Sequence, residues 1–343
     1  MAADAKKPFH VINTALNLVS GSKLAWQQRK AESFTISPLH CGGPSLASAS
    51  GGAYRRADDY GMGAGSRSIS IGTALTISGA AASPNMGYHS SPGVAFLLTL
   101  FNVRLGAWLG NPGPAGDPCF PLFSKKPYQL ASPRWAVGPI LKEAFGLTDD
   151  TSPYVYLSDG GHFENLGIYE MVRRRCHYII VCDGGADPDY KFDDLVNAIR
   201  KIRTDLGIRI KIDVSELWPQ PGTKSSHAHC ALGWIYYNDV DPAAEPGQLL
   251  YLKASLNNNE PLDVRSYADE HPDFPHQSTG DQFFDESQFE SYRALGLHVA
   301  RETFNKAQAP LQNLQQAFTE IARHWPPPAR PPRVHAAGKP AAP

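Results

Sequence analysis

A chain of 343 residues with 42% hydrophobic and 19% charged residues can bury a large core and has the composition of an ordinary globular protein. Its formal net charge of −1, with no long basic stripe, argues against nucleic acid as a partner. Five scattered cysteines (Cys41, Cys119, Cys176, Cys182, Cys230) form no CxxC pair and read as the reduced thiols of a cytoplasmic protein.

The N-terminal residues lack the apolar core and cleavage site of a signal peptide. Residues 9–19 (FHVINTALNLV) predict a strand, and 32–38 its antiparallel partner across a turn at Gly21-Ser22. The Gly, Ser and Ala content of 41–67 predicts a long loop. A helix follows over 68–82, with Ile71, Leu75 and Ser78 at helical spacing, and Pro84-Asn85 ends it. Pro92 opens a second helix over 93–106, where proline fits the first turn. The apolar run 93–109 is short for a membrane span and carries Asn102 and Arg104, so it reads as a buried or surface-lying helix. Residues 111–118 form a Pro/Gly loop, and 135–145 a short amphipathic helix stopped by Gly146.

The stretch 154–187, YVYLSDGGHFENLGIYEMVRRRCHYIIVCDGGAD, organises the rest. Two apolar runs each end in Asp-Gly-Gly, with a helix over 165–174 between them. That order predicts a βαβ unit with parallel strands. Arg173, Arg174 and Arg175 at the helix end complement its dipole. A further helix begins at Asp193, shows the stripe Leu195, Ile199, Ile202 and Leu206, and stops at Gly207. Residues 208–214 give a third strand, so β-α-β-α-β with right-handed crossovers is expected. Residues 233–240 and 249–256 predict a hairpin, 274–284 a polar, aromatic loop, and 287–301 and 310–324 helices. The Pro/Ala-rich stretch 326–343 predicts a disordered tail, leaving 1–325 as one domain.

In open α/β sheets function collects beyond the carboxyl ends of the strands, which is where both Asp-Gly-Gly turns would stand. Asp159 there can serve as general base to a hydroxyl, or can cap the helix that follows. Asp183 has the same setting but leads into a plain loop. The two carboxylates with His162 or Glu164 could hold a divalent cation. The run His227-Ala228-His229-Cys230 suggests zinc but lacks a second ligand pair, and no metal or cofactor is expected. Ser50, followed by Gly51-Gly52, lacks the leading glycine of a GxSxG elbow and any preceding strand. Ser78 lies within a helix. Both serines are weak nucleophile candidates.

The 154–187 stretch resembles the catalytic-aspartate segment of the patatin and cytosolic phospholipase superfamily: a strand delivering Asp-Gly-Gly, an asparagine (Asn165) entering a helix, then an apolar strand. The stretches KAESFTISPLHCG (30–42), ISGAAASPNMGYHSSP (77–92) and FPHQSTGDQFFDESQFESYRALG (274–296) are similar to segments of large bacterial patatin-like proteins, so the likeness covers most of 8–300. The resemblance implies a three-layer α/β/α fold with a largely parallel sheet. It also implies lipid acyl ester hydrolysis through a Ser-Asp dyad without cofactors. Asp159 would be the base, flanked by Gly160, Gly161 and Asn165, and the substrate a lipid or membrane surface met by a peripheral protein. The GxSGG elbow and glycine-rich oxyanion loop that the family places upstream of its aspartate do not occur here. The chain is therefore expected to correspond to the C-terminal portion of a longer protein, completed by an N-terminal half or membrane domain. The alternative is an inactive remnant or a binding or structural module.

Overall fold

The computed structural model describes residues 8–329 except 22, 25, 48–51, 63–67, 88–89, 119–124 and 306–311. It divides into two compact units, Met1–Asn165 and Leu166–Pro343. From residue 330 on, the expected tail lies outside the described residues.

The first unit carries β1 (Ile12–Asn17), α1 (Trp26–Arg29), β2 (Ala31–Ile36), β3 (His40–Gly42), β4 (Tyr54–Arg56), α2 (Ile71–Ser78), α3 (Pro92–Leu100), β5 (Ala107–Gly110), α4 (Val137–Ala144) and β6 (Tyr154–Asp159). Its six strands run in the order β4-β3-β2-β1-β6-β5, every neighbouring pair antiparallel. The β1–β2 hairpin forms as the sequence predicts, with Ile12 opposite Ile36 and Asn17 opposite Ala31. Leu16, Trp26, Phe34, Tyr60, Ile77, Leu109, Val155 and Leu157 make its core. Burying side chains of this size contributes roughly 1.5–3 kcal/mol each before entropy is charged. Trp26 is fixed further by its indole N–H, which donates to Glu32 Oε1 at 2.7 Å. Part of the segment expected as loop over 41–67 instead supplies β3 and β4, which extend the sheet beyond β2. Helix α3 ends at Leu100 and packs against α4, yet Phe96, Leu97, Leu100 and Phe101 stay exposed, as do Val137 and Leu141 on α4.

The second unit carries α5 (Ile168–Arg173), β7 (Tyr178–Asp183), α6 (Asp193–Leu206), β8 (Ile210–Ile212), β9 (Cys230–Ile235), β10 (Gly247–Lys253), α7 (Leu262–Glu270), α8 (Glu286–Phe304) and α9 (Leu314–His324). Its sheet runs β7-β10-β9-β8. Only β7 and β10 are parallel, in a register that sets Asp183 beside Lys253. The β9–β10 hairpin closes Gly247 against Ile235. Leu232, Leu250, Leu252, Val264, Phe274, Leu295 and Phe318 fill a core between sheet and helices.

The predicted three-layer fold with a largely parallel sheet is therefore corrected: one sheet is antiparallel throughout and the other mixed. The two Asp-Gly-Gly strands do not form a βαβ unit, because β6 lies in the first sheet and β7 in the second. The physical reason is that an apolar run satisfies its backbone with any strand edge of matching length. The β1–β2 hairpin offers β6 an antiparallel edge, and β5 takes the other side. Helix α5 has only six residues and starts from Gly167 in the left-handed region (φ 73°). Nor does β8 extend a parallel array: it pairs antiparallel with β9. Among the described residues no helix is long and apolar enough to cross a membrane.

Candidate functional site

Asp159 closes β6 opposite Thr14 of β1. Its Oδ1 accepts the Gly161 N–H at 2.8 Å, so it caps the short 3-10 turn Gly160–His162. The turn is tight at Gly160, where a Cβ would sit 2.8 Å from the Asn13 carbonyl oxygen, while one on Gly161 would meet the Asn165 side chain, Oδ1 at 2.8 Å, which would have to shift. The other carboxylate oxygen, Oδ2, takes no hydrogen bond among the described residues, and Asp159 is half-buried. Capping and openness thus coexist in one side chain. One oxygen is held and the other is left without a hydrogen bond among the described residues.

A polar relay that the sequence analysis missed anchors this turn. Gly87 N–H donates to Asn17 Oδ1 (2.9 Å), and Asn17 Nδ2 donates to the fully buried Ser158 Oγ (2.8 Å). Ser158 Oγ lies 2.8 Å from His162 Nδ1, and His162 Nε2 lies 3.2 Å from the Ala81 carbonyl. With the proton on Nε2 every bond runs one way, from Asn17 through Ser158 and His162 to Ala81. Ser158 is thereby a positioned structural hydroxyl, closed off from substrate. The signal in the sequence was an asparagine, Asn17, at the buried end of a strand, which needs a partner. Asn17→Ala is expected to cost about 1–3 kcal/mol, because it strands the Gly87 donor and loosens Ser158. Urea unfolding measures this, and a variant as stable as the wild type would remove the relay as an anchor.

Ser78, at the last turn of α2, donates its hydroxyl to the Asn13 carbonyl at 2.8 Å. That carbonyl belongs to the residue beside Thr14, the partner of Asp159, but no hydrogen bond joins Ser78 to Asp159. A helix C-terminus presents carbonyls, not the amide donors an oxyanion needs. Ser50 lies outside the described residues. Three consecutive carbonyls bind this region together: Ala80 accepts from Asp159 N–H (3.4 Å), Ala81 faces His162, and Ala82 accepts from Leu105 N–H (3.1 Å).

Asp183 has the same local turn, with Gly185 N–H on its Oδ1 at 2.8 Å, and an opposite environment. It is buried, and its Oδ2 accepts the Tyr251 hydroxyl and faces Lys253 Nζ at 3.2 Å. Lys253, only 2% exposed, also donates to the Gly185 carbonyl (3.3 Å) and lies 3.8 Å from Asp187 Oδ2. Burial, reinforced by the Asp183 charge, holds the Tyr251 phenol far above the ordinary range. Both oxygens of Asp183 are engaged and its charge is met by Lys253, in contrast to Asp159. Asp159 ends a strand of the first sheet and Asp183 a strand of the second.

No family model, curated protein or solved structure matches this chain. The chemistry therefore has to be read from these side chains alone. Of the two Asp-Gly-Gly turns, one carries an open carboxylate and the other a neutralised one.

Proposed function

We propose that the chain contributes Asp159 as the general base of a lipid acyl ester hydrolase acting at a membrane surface, as the patatin resemblance implies. The observation that carries this reading is the open Oδ2 of Asp159 on a turn whose other carboxylate oxygen is fixed. The apolar exposed faces of α3 and α4 support a lipid-facing role, and the Ala80–Ala82 carbonyls join the Asp159 turn to Leu105 just beyond α3. In such a reaction the carboxylate takes a serine proton as Oγ attacks the ester carbonyl. The alcohol then leaves, and water activated by the same carboxylate releases the acid. Of the two candidate serines Ser78 is the one among the described residues, and its hydroxyl bonds the carbonyl of Asn13, the residue next to the strand partner of Asp159.

A second reading, a lipid-surface binding module without catalysis, is favoured by the engagement of the Ser78 hydroxyl with Asn13 and by its position at a helix C-terminus. One experiment separates them: phosphatidylcholine/phosphatidylglycerol vesicles with assays for sedimentation, fatty-acid release and fluorophosphonate labelling. Under the hydrolase reading, Asp159→Asn lowers turnover at least about 100-fold without changing the melting temperature. Sedimentation without labelling or release would establish the binding module. A wild-type chain that neither sediments nor releases fatty acid would overturn both.

A further inference from the structure

The second unit brings together a ligand set that lies scattered in the sequence. His229 immediately precedes β9, Glu260 immediately precedes the α7 segment, and His298 projects from α8. A ring nitrogen of each histidine and a carboxylate oxygen of Glu260 all lie within 4.8 Å of one another. The imidazole rings stand 5.4 Å apart at 85°, edge to face. His229 and Glu260 are buried and His298 half-buried, which leaves the group one side open to solvent.

We propose that His229, Glu260 and His298 bind a zinc-type divalent ion, with a fourth position left for water. Two imidazoles and a carboxylate form a three-ligand set suited to zinc, whereas calcium and magnesium prefer all-oxygen sites. Tetrahedral zinc with ligands at about 2.0–2.1 Å needs donor separations of about 3.4 Å, so binding draws the three side chains closer together. The supporting residues are those of a metal site. His229 Nδ1 is held by Ser255 Oγ at 2.9 Å, which turns Nε2 into the ligating nitrogen. Asn257 touches two of the three, donating its backbone N–H to Glu260 Oε1 and placing its Oδ1 3.3 Å from His298 Nε2.

A second observation points the same way. Glu260 is buried, and among the described residues it forms no ion pair with Lys, Arg or His; its one hydrogen bond comes from the Asn257 amide. An isolated buried carboxylate is costly, and buried charges are found paired or on metals. A divalent cation supplies the missing charge. Of the His227-to-Cys230 run, only His229 takes part. His227 is exposed, and Cys230 enters the strand opposite Leu252. The second ligand pair thus comes from residues 31 and 69 positions further on.

The test uses the full chain, purified and stripped with chelator, and Zn²⁺ alone as probe. Titration against a chromophoric chelator is expected to give one tight equivalent, and Co²⁺ substitution a visible d–d spectrum of low coordination number. His298→Gln and Glu260→Gln should each weaken binding at least about tenfold, in line with the sensitivity of metal sites to ligand loss. His227→Ala should leave binding unchanged, which separates the site from adventitious surface zinc. Thermal melts keep the proposal open to refutation even where a variant is unstable. Zinc should raise the wild-type midpoint but not that of Glu260→Gln, while the metal-free Glu260→Gln chain, relieved of an unpaired charge, should melt no lower than the metal-free wild type. Absence of the tight equivalent, equal affinity in His298→Gln, or loss of binding in His227→Ala would each overturn the proposal.

Discussion

Lys253→Met is expected to destabilise the chain by about 3–5 kcal/mol, read as a lower urea midpoint at unchanged slope. The ammonium group is surrounded by acceptors: Asp183 Oδ2 at 3.2 Å, Asp187 Oδ2 at 3.8 Å and the Gly185 carbonyl at 3.3 Å. Removing it leaves Asp183 buried with a full charge, compensated only by the Tyr251 hydroxyl and the Gly185 N–H. The cost is dominated by that stranded charge, not by the worth of the pair. The double variant Lys253→Met/Asp183→Asn is therefore expected to recover part of the loss, since it takes the charge away together with its partner. A single variant within about 0.5 kcal/mol of the wild type would show that water reaches Asp183 and that the pair is not buried in solution.

The contrast between the two Asp-Gly-Gly turns was half legible in the sequence. That each run ends a strand follows from its apolar pattern, and the glycines announce a tight turn. What surrounds each turn does not follow, because it depends on strands far away in the chain. The antiparallel pairs β1–β2 and β9–β10 were readable, since their runs are successive strands in the chain. The parallel partner of β7 was not, because it arrives 70 residues later, Gln248 beside Tyr178. Lys253 did carry a signal: a lysine in the apolar run LLYLKASL asks for a buried carboxylate. Read that way, LLYLK and YIIVCD become natural neighbours in register, and Asp183 becomes the occupied turn. The antiparallel setting of β6 had no comparable mark, since nothing in YVYLSD distinguishes an edge offered by a hairpin from one offered by a βαβ crossover. The His229–Glu260–His298 group was hidden for a similar reason: its members come from two loops and a helix, with no spacing rule to link them.

Acidification should weaken the fold through His276, by about 2 kcal/mol between pH 7 and pH 5 relative to a His276→Gln variant. The imidazole is buried, and its pKa is lowered to about 4 from 6.5, first by burial and then by the nearby Lys253 cation, with Asp187 and Asp183 opposing. The hydrogen bonding agrees with a neutral ring. Nδ1 accepts the Asp187 N–H at 3.3 Å, which places the proton on Nε2, and the ring packs edge-on against Tyr190 with centroids 4.8 Å apart. Protonating Nδ1 would remove that acceptor and add a second cation beside Lys253. The sign follows from proton binding: below pH 6.5 the unfolded chain takes up a proton that the folded chain refuses until about pH 4. Stability is therefore unaffected above 6.5, falls through this window, and reaches its full loss of roughly 3 kcal/mol below about pH 4. Paired carboxylates such as Asp149 and Asp239, held below their usual values by Lys142 and Arg209, lose their contribution at lower pH and do so equally in both chains. Urea midpoints of wild type and variant at pH 7 and pH 5 isolate the histidine, and parallel profiles would show that the ring is hydrated and titrates normally. Because Lys253 contributes to the depression, the Lys253→Met chain should show a shallower acid loss from His276, a coupling that ties the two predictions to a single buried cluster.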